Sequence, residues 1–190
     1  MGTIADEVKK CIEVMRKGGV ILYPTDTVWG IGCDATNVDA VKRVFEIKKR
    51  CDSKAMLLLV DSADRLTRYV GNIPSVAWDL IELSDKPLTI IYDGARNLAP
   101  NLVAEDGSVG IRVTSEMFSK ELCYRFQKAV VSTSANISGE ATPNNFSEIN
   151  PEIIAAVDYV VGYKQLEKGK AKSSSIIKLT ENGTITIIRQ

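Results

Sequence analysis

Apolar residues return along the chain at two spacings, and each spacing predicts an element. Ile4, Val8, Cys11, Ile12 and Met15 repeat at helical intervals, and Gly18-Gly19 ends that helix. The unbroken run Val20 to Tyr23 reads as a short buried strand. Val38, Val41, Val44 and Phe45 mark a second helix, entered from Thr36-Asn37 and ending in the basic cluster Lys48-Lys49-Arg50. Met56 to Val60 is the next strand, and Val76, Leu80 and Ile81 suit a helix with Pro74 near its start. Strands follow at Leu88 to Tyr92 and Ser108 to Val113, with a polar loop from Asp93 to Gly107 between them. A helix over Phe118 to Gln127 precedes a short buried strand at Ala129 to Val131. Three late strands fall at Asp158 to Val161, Ser175 to Leu179 and Thr184 to Ile188; the last two join through Glu181-Asn182-Gly183, a strong hairpin signal. Helix–strand alternation mixed with an antiparallel pair predicts an α/β fold: a twisted mixed parallel/antiparallel sheet flanked by helices. Ser138 to Glu148, with its Gly, Pro and Asn-Asn, is the loop-rich stretch.

Composition narrows the function classes. A 190-residue chain that is 45% hydrophobic can bury a real core, and residues 1–190 are expected to form one domain. The 24 basic and 24 acidic side chains cancel, so contacts with phosphate or nucleic acid must come from local clustering. No apolar run approaches membrane-spanning length and the first residues lack the shape of a signal peptide, so the expectation is a cytoplasmic protein with no membrane contact. The four cysteines show no CxxC pairing and are expected to be reduced thiols. Histidine is absent, which removes Ser-His and Cys-His nucleophile pairs, HExxH zinc sites and the commonest general base. An enzyme built from these residues would work by positioning and charge stabilisation, as phosphoryl and nucleotidyl transfer do.

Four polar strand ends carry the candidate chemistry. After the strand at Val20 to Tyr23 come Pro24-Thr25-Asp26-Thr27, then Trp29 with Gly30 and Gly32, where backbone can approach a ligand closely. A tight turn with no ligand is the plain alternative. Lys48, Lys49 and Arg50, with Lys54 beyond, read either as cations favoured at a helix C-terminus or as a polyphosphate clamp. No GxxxxGK[ST] loop occurs, so side chains would hold the phosphates. Ser132, Thr133, Ser134 and Asn136 sit where open α/β sheets bind ligands, though a turn and helix cap would use the same residues. Lys172-Ser173-Ser174-Ser175 enters another strand, and Ser108 with Arg112 sits on a fourth. Hydroxyls and cations converging on one face of a sheet describe a site for an anionic ligand.

Taken together, these segments resemble the YrdC-like domain family, the threonylcarbamoyl-AMP synthases, from about Gly18 to Arg189. YPTDTVWGIG resembles the family's PTxTxYGLG segment with Trp29 in place of Tyr; Lys48 and Arg50 match its KxR element, and Ser134 and Asn136 its SxN element. Ser108-Val-Gly-Ile-Arg112 resembles its strand ending in a substrate-binding Arg, Ser174-Ser175-Ile176 its Ser-Thr-Val strand start, and Arg189 its late arginine. The resemblance implies a YrdC-like fold and a nucleotidyl transfer that joins L-threonine, bicarbonate and ATP into threonylcarbamoyl-AMP and pyrophosphate, for modification of tRNA. It implies that Thr27, Arg112, Ser132 and Ser174 face threonine, and that Arg50, Lys54, Ser108, Ser134, Thr142 and Arg189 face ATP. Lys48, Arg50, Ser134 and Asn136 form the implied catalytic ring around the phosphates. Mg²⁺ is implied with ATP, held mainly by phosphate oxygens and water, with no organic cofactor. The implied partners are tRNA and a downstream threonylcarbamoyl-transferase.

The chain departs from the family at Lys54-Ala55-Met56, where Asn-Pro-Leu or Lys-Pro-Leu is usual, and at Val113-Thr114 after Arg112, where Val-Pro is usual. Two alternatives therefore stand at this point: a divergent YciO-like paralogue that binds nucleotide or RNA without this activity, and an RNA-binding module that grips phosphates through the Lys48 to Lys54 stretch.

Overall fold

The computed structural model describes residues 2–50, 56–169 and 172–190. Cys51 and Lys54, the latter assigned above to ATP, lie outside the described residues. Helix α1 (Ile4–Arg16) starts from a capping box between Thr3 and Asp6 and buries Val8, Cys11, Ile12 and Met15. Strands β1 (Ile21–Tyr23) and β2 (Gly30–Gly32) pair antiparallel around the Pro24-Thr25-Asp26-Thr27 loop. Next come α2 (Val38–Ile47), β3 (Leu57–Val60), a single-turn α3 (Leu66–Tyr69), α4 (Val76–Glu82) and β4 (Leu88–Tyr92). The second half holds β5 (Val109–Val113), α5 (Met117–Phe126), β6 (Val130–Ser134), α6 (Pro151–Ala156), β7 (Tyr159–Val160), β8 (Ser175–Leu179) and β9 (Ile185–Arg189).

The described residues form one nine-stranded sheet in the order β7-β1-β2-β6-β3-β5-β4-β8-β9. Three neighbouring pairs are parallel (β1–β7, β3–β5, β4–β8) and five antiparallel, the mixed sheet expected from the sequence. Helices α1 and α5 pack against each other, α1 also on β1 and β7 and α5 on β3. The β8–β9 hairpin turns at Gly183 with φ of +84°, as Asn-Gly predicts.

Register explains the two faces. Val131, Leu58, Ile111, Ile90 and Ile177 lie abreast across five strands, and all are buried core. One residue along, Ser132, Leu57, Gly110, Ile91 and Lys178 lie abreast on the other face. Two further along, Leu59, Arg112, Thr89, Ile176 and Arg189 make a parallel row, the last step placed by a register shift at Ile176/Ile177. The second face therefore carries hydroxyls and arginines from strands remote in sequence.

Three elements differ from the sequence expectation. The hydroxyl run Ser132 to Ser134 belongs to β6 itself instead of following it, because it pairs with both β2 and β3. The short helices α3 and α6 carry too few turns for a periodic signal. The glycines read as ligand-approach points form β2, and Gly32 serves packing: a Cβ there would lie 2.5 Å from both the Tyr23 ring and the Val131 carbonyl oxygen. Tyr23 is fully buried and donates its hydroxyl to that same carbonyl at 3.1 Å, so its ring fills the space beside β2. Gly32→Ala is expected to cost about 1–3 kcal/mol by overpacking, because one neighbour is backbone and cannot yield. Urea denaturation of the variant checks this, and a wild-type midpoint contradicts it.

Candidate active site

A cavity of about 250 Å³ opens on the polar face of the sheet. It gathers Thr27 from the β1–β2 loop, Arg50 after α2, Arg112 on β5, Ser132 and Ser134 on β6, Thr142, Ser174 before β8, and Arg189 on β9. Eight of the sequence-predicted site residues thus meet at one place, though they span most of the chain.

Arg112 is its best-buried charge. Its Nη2 lies 2.9 Å from Asp26 Oδ1, with the two side chains 2% and 6% exposed. The same nitrogen donates to Thr27 Oγ1 at 3.2 Å. The Asp26 contact is an ion pair by charge and distance but off hydrogen-bond direction, so both carboxylate oxygens and Arg112 Nε are without hydrogen-bond partners. Burial pushes the Asp26 carboxyl up from its ordinary value, and the nearby guanidinium pulls it part of the way back. The site therefore holds a neutralised pair with donor capacity left over, suited to a ligand carboxylate. Asp26 was not singled out by the sequence, where it reads as one more turn residue; its position two residues after Pro24 in a hydroxyl-rich turn was the available signal.

At the far side, Ser174 Oγ lies 2.9 Å from Thr89 Oγ1 within the buried sheet face. The Ser174 carbonyl accepts from Arg189 Nε and Nη2 at 3.0 and 2.8 Å. This fastens the chain terminus to the start of β8 and sets the Arg189 guanidinium at the cavity wall.

Three predicted residues have other places. Lys48, expected on the phosphates, is 2% exposed and donates to the carbonyls of Ser134 and Asn136 at 2.5 and 2.7 Å. It caps α2 and anchors the loop after β6; it is not among the cavity's lining side chains. Burial and neighbouring Arg50 lower its ammonium from 10.5 to about 8. Asn136 turns its amide to the carbonyls of Ile137 and Glu140, bracing the same loop. Ser108 donates to Asp106 Oδ1 at 2.5 Å and lines an adjoining groove of about 170 Å³, which shares Met56, Leu57 and Ile176 with the cavity. Asp106 also accepts from Lys178 at 2.8 Å, and these bonds hold its carboxyl well below the usual range. Trp29 packs on Phe146 and lines a separate cleft of about 130 Å³ that shares Thr27 and Val28 with the cavity. Among the described residues, no group of three or more His, Cys, Asp or Glu side chains could hold a metal, and no helix is long and apolar enough to cross a membrane.

Two stability predictions follow from these buried charges. Asp26→Ala strands the Arg112 charge and is expected to lose about 3–5 kcal/mol, most of it recovered when Arg112→Met removes the second charge too. Urea denaturation of the single and double variants measures this; equal stability of the two refutes the pairing. For Lys48, the unfolded chain binds more protons than the folded one between about pH 8 and 10.5, so stability rises with pH across that window. Wild type should gain on the order of 1–3 kcal/mol relative to Lys48→Met over this range. Parallel slopes for the two proteins would contradict it.

A family model named for Sua5, YciO and YrdC, and described as "Telomere recombination", matches residues 13–190. A threonylcarbamoyl-AMP synthase from Pseudoalteromonas translucida (strain TAC 125) is 33% identical over 181 residues, which cover 94% of this chain and 95% of that one. E. coli YciO superposes with a TM-score of 0.84 at 25% identity, over 100% of this chain and 91% of that one. P. abyssi Sua5 complexed with L-threonine superposes with a TM-score of 0.80 at 22% identity, a likeness of fold. The match covers 90% of this chain and 50% of that Sua5 chain, so this chain spans about half of its length.

Proposed function

Because the chain belongs to the Sua5/YciO/YrdC family, we propose that it is a threonylcarbamoyl-AMP synthase: a nucleotidyltransferase that makes threonylcarbamoyl-AMP and pyrophosphate from L-threonine, bicarbonate and ATP. The relatives that carry this name support the reading. The observation that carries it is the meeting of Thr27 and the Asp26–Arg112 pair with Arg50, Ser134, Thr142 and Arg189 in one cavity. One end suits the carboxylate and hydroxyl of an amino acid, and the other suits a polyphosphate.

In this reading Arg112 takes the threonine carboxylate with its spare donor capacity, while Thr27, Ser132 and Ser174 orient the amino acid. Arg50, Ser134, Thr142 and Arg189 take the triphosphate, and Ser108 stands at the nucleoside end. Lys48 and Asn136 act by holding the Ser134 to Glu140 backbone in place. Threonine and bicarbonate condense to a carbamate with loss of water, and a carbamate oxygen attacks the α-phosphorus as pyrophosphate leaves. Alignment of attacking and leaving oxygens and neutralisation of phosphate charge supply the acceleration, which asks nothing of the histidine the chain lacks. Mg²⁺ would enter with the triphosphate as part of the substrate and would supply further charge neutralisation. Transfer of the product to tRNA by a separate threonylcarbamoyl-transferase, in the cytoplasm, completes the proposed role.

Purified protein given ATP and Mg²⁺ is expected to release pyrophosphate only when threonine and bicarbonate are both present. Thr27→Val should raise the KM for threonine about tenfold or more, with ATP binding little changed. Arg50→Ala should do the reverse, and Arg50→Lys should rescue poorly because a point charge cannot replace a planar fork. Release indifferent to threonine would overturn the synthase reading in favour of a paralogue with another activity.

A further inference from the structure

Two hydroxyls of the β1–β2 loop, those of Thr25 and Thr27, are bound so that the direction of each proton is fixed. Thr25 Oγ1 lies 2.7 Å from the Val28 carbonyl oxygen, which can only accept, so the Thr25 proton goes there. Thr25 Oγ1 also accepts from the Thr27 amide at 3.1 Å. The contact between the two hydroxyl oxygens, at 3.1 Å, must then be donated by Thr27. A hydroxyl has one proton and two acceptor positions, and those of Thr25 are all taken. Thr27 has given its proton to Thr25 and one acceptor position to Arg112 Nη2 at 3.2 Å.

Among the described residues nothing fills the second acceptor position of Thr27. Thr27 lines the cavity of about 250 Å³, whereas Thr25 lines only the adjoining cleft of about 130 Å³. A Cβ on Gly30 would lie 3.5 Å from Thr25 Cγ2, so the Thr25 methyl sits over β2 while its hydroxyl serves its own loop. Thr27 therefore meets a ligand as an acceptor only. It has no proton for a carboxylate, and what it can take from an amino acid is an N–H or an O–H.

We propose that Thr25 is a positioning residue: by taking the Thr27 proton it makes Thr27 accept an N–H of the substrate's α-amine. This rests on the synthase reading, which puts threonine at Arg112 and Thr27. The α-amine shares a carbon with the carboxylate, and Thr27 Oγ1 shares a hydrogen bond with Arg112, so carboxylate and amine fall on neighbouring partners. The reaction needs this polarity. The lone pair of the free amine forms the N–C bond to the bicarbonate carbon, and the departing hydroxide leaves as water with an amine proton. A Thr27 hydroxyl free to turn would donate to that lone pair and withhold it. With its proton held by Thr25, Thr27 binds an N–H and leaves the lone pair to the carbon it attacks.

The test measures pyrophosphate release by wild type, Thr25→Ser, Thr25→Val, Thr27→Val and the Thr25→Val/Thr27→Val double variant. L-2-aminobutyrate, which keeps the amine and lacks the hydroxyl, is added as a competitor of L-threonine. Thr25→Val is expected to lower kcat/KM for L-threonine at least tenfold with the KM for ATP within twofold, and Thr25→Ser to recover most of the loss. The double variant should be no worse than Thr27→Val, because Thr25 acts through Thr27. The inhibition constant of L-2-aminobutyrate should rise in Thr25→Val by the same factor as the KM for threonine. Single losses that multiply in the double variant, or equal losses towards threonine and ATP, would reduce Thr25 to a support of the loop and overturn the proposal. An inhibition constant unchanged in Thr25→Val, or no inhibition of wild type, would give Thr27 to the substrate hydroxyl and overturn the amine contact. Threonine-independent release by wild type would overturn the synthase reading and the proposal with it.

Discussion

The ion pair between Asp26 and Arg112 sits where the fold and the site depend on each other. Arg112 belongs to β5, well inside a nine-stranded sheet, and a guanidinium almost wholly removed from water is tolerable only beside a compensating charge. Asp26 supplies that charge from the loop between β1 and β2, and so ties the loop to a strand four places away in the sheet order. The same tie brings Thr27 within 3.2 Å of Arg112. A contact imposed by electrostatics thus gathers one end of the cavity.

Around that pair, the sheet divides its work by face. One face is continuous aliphatic core, which supplies the burial that holds the domain together. The other carries Ser132, Ser134, Arg112, Thr89 and Arg189 at register positions set by strand pairing, most of them buried. Mixed pairing matters here, because parallel steps at β3–β5 and β4–β8 interleave strands that are distant in sequence. Eight site residues from seven segments reach one cavity, four of them on the strands themselves.

A ring of residues supports the cavity without lining it. Lys48 holds two carbonyls of the loop after β6, Asn136 braces that loop from within, and Tyr23 fills the space Gly32 leaves. Each of these polar groups gives a backbone carbonyl a hydrogen-bond donor. Lys48-Lys49-Arg50 and Ser134-Ala135-Asn136 therefore each join a residue that lines the cavity, Arg50 or Ser134, to one that holds backbone, Lys48 or Asn136.

Much of the fold was legible in the amino-acid order, because its causes are local. Helical spacing located α1 and α2, and Asn182-Gly183 announced the last hairpin through a left-handed glycine. Residue chemistry also marked the site: hydroxyls and arginines at strand ends, in a chain without histidine, indicated an anionic ligand held by positioning. Gly30-Ile31-Gly32 could not be read as a strand, since its extended state comes from pairing with β1 and β6 and not from its own side chains. Nor could the sequence tell a lysine that grips phosphate from one that grips backbone, when its acceptors lie 86 and 88 residues away. Local sequence determined which elements form and which chemistry is available. Tertiary structure alone decided which charged groups are paired, buried or left facing the cavity, because desolvation and ion pairing act through distances that only the folded chain creates.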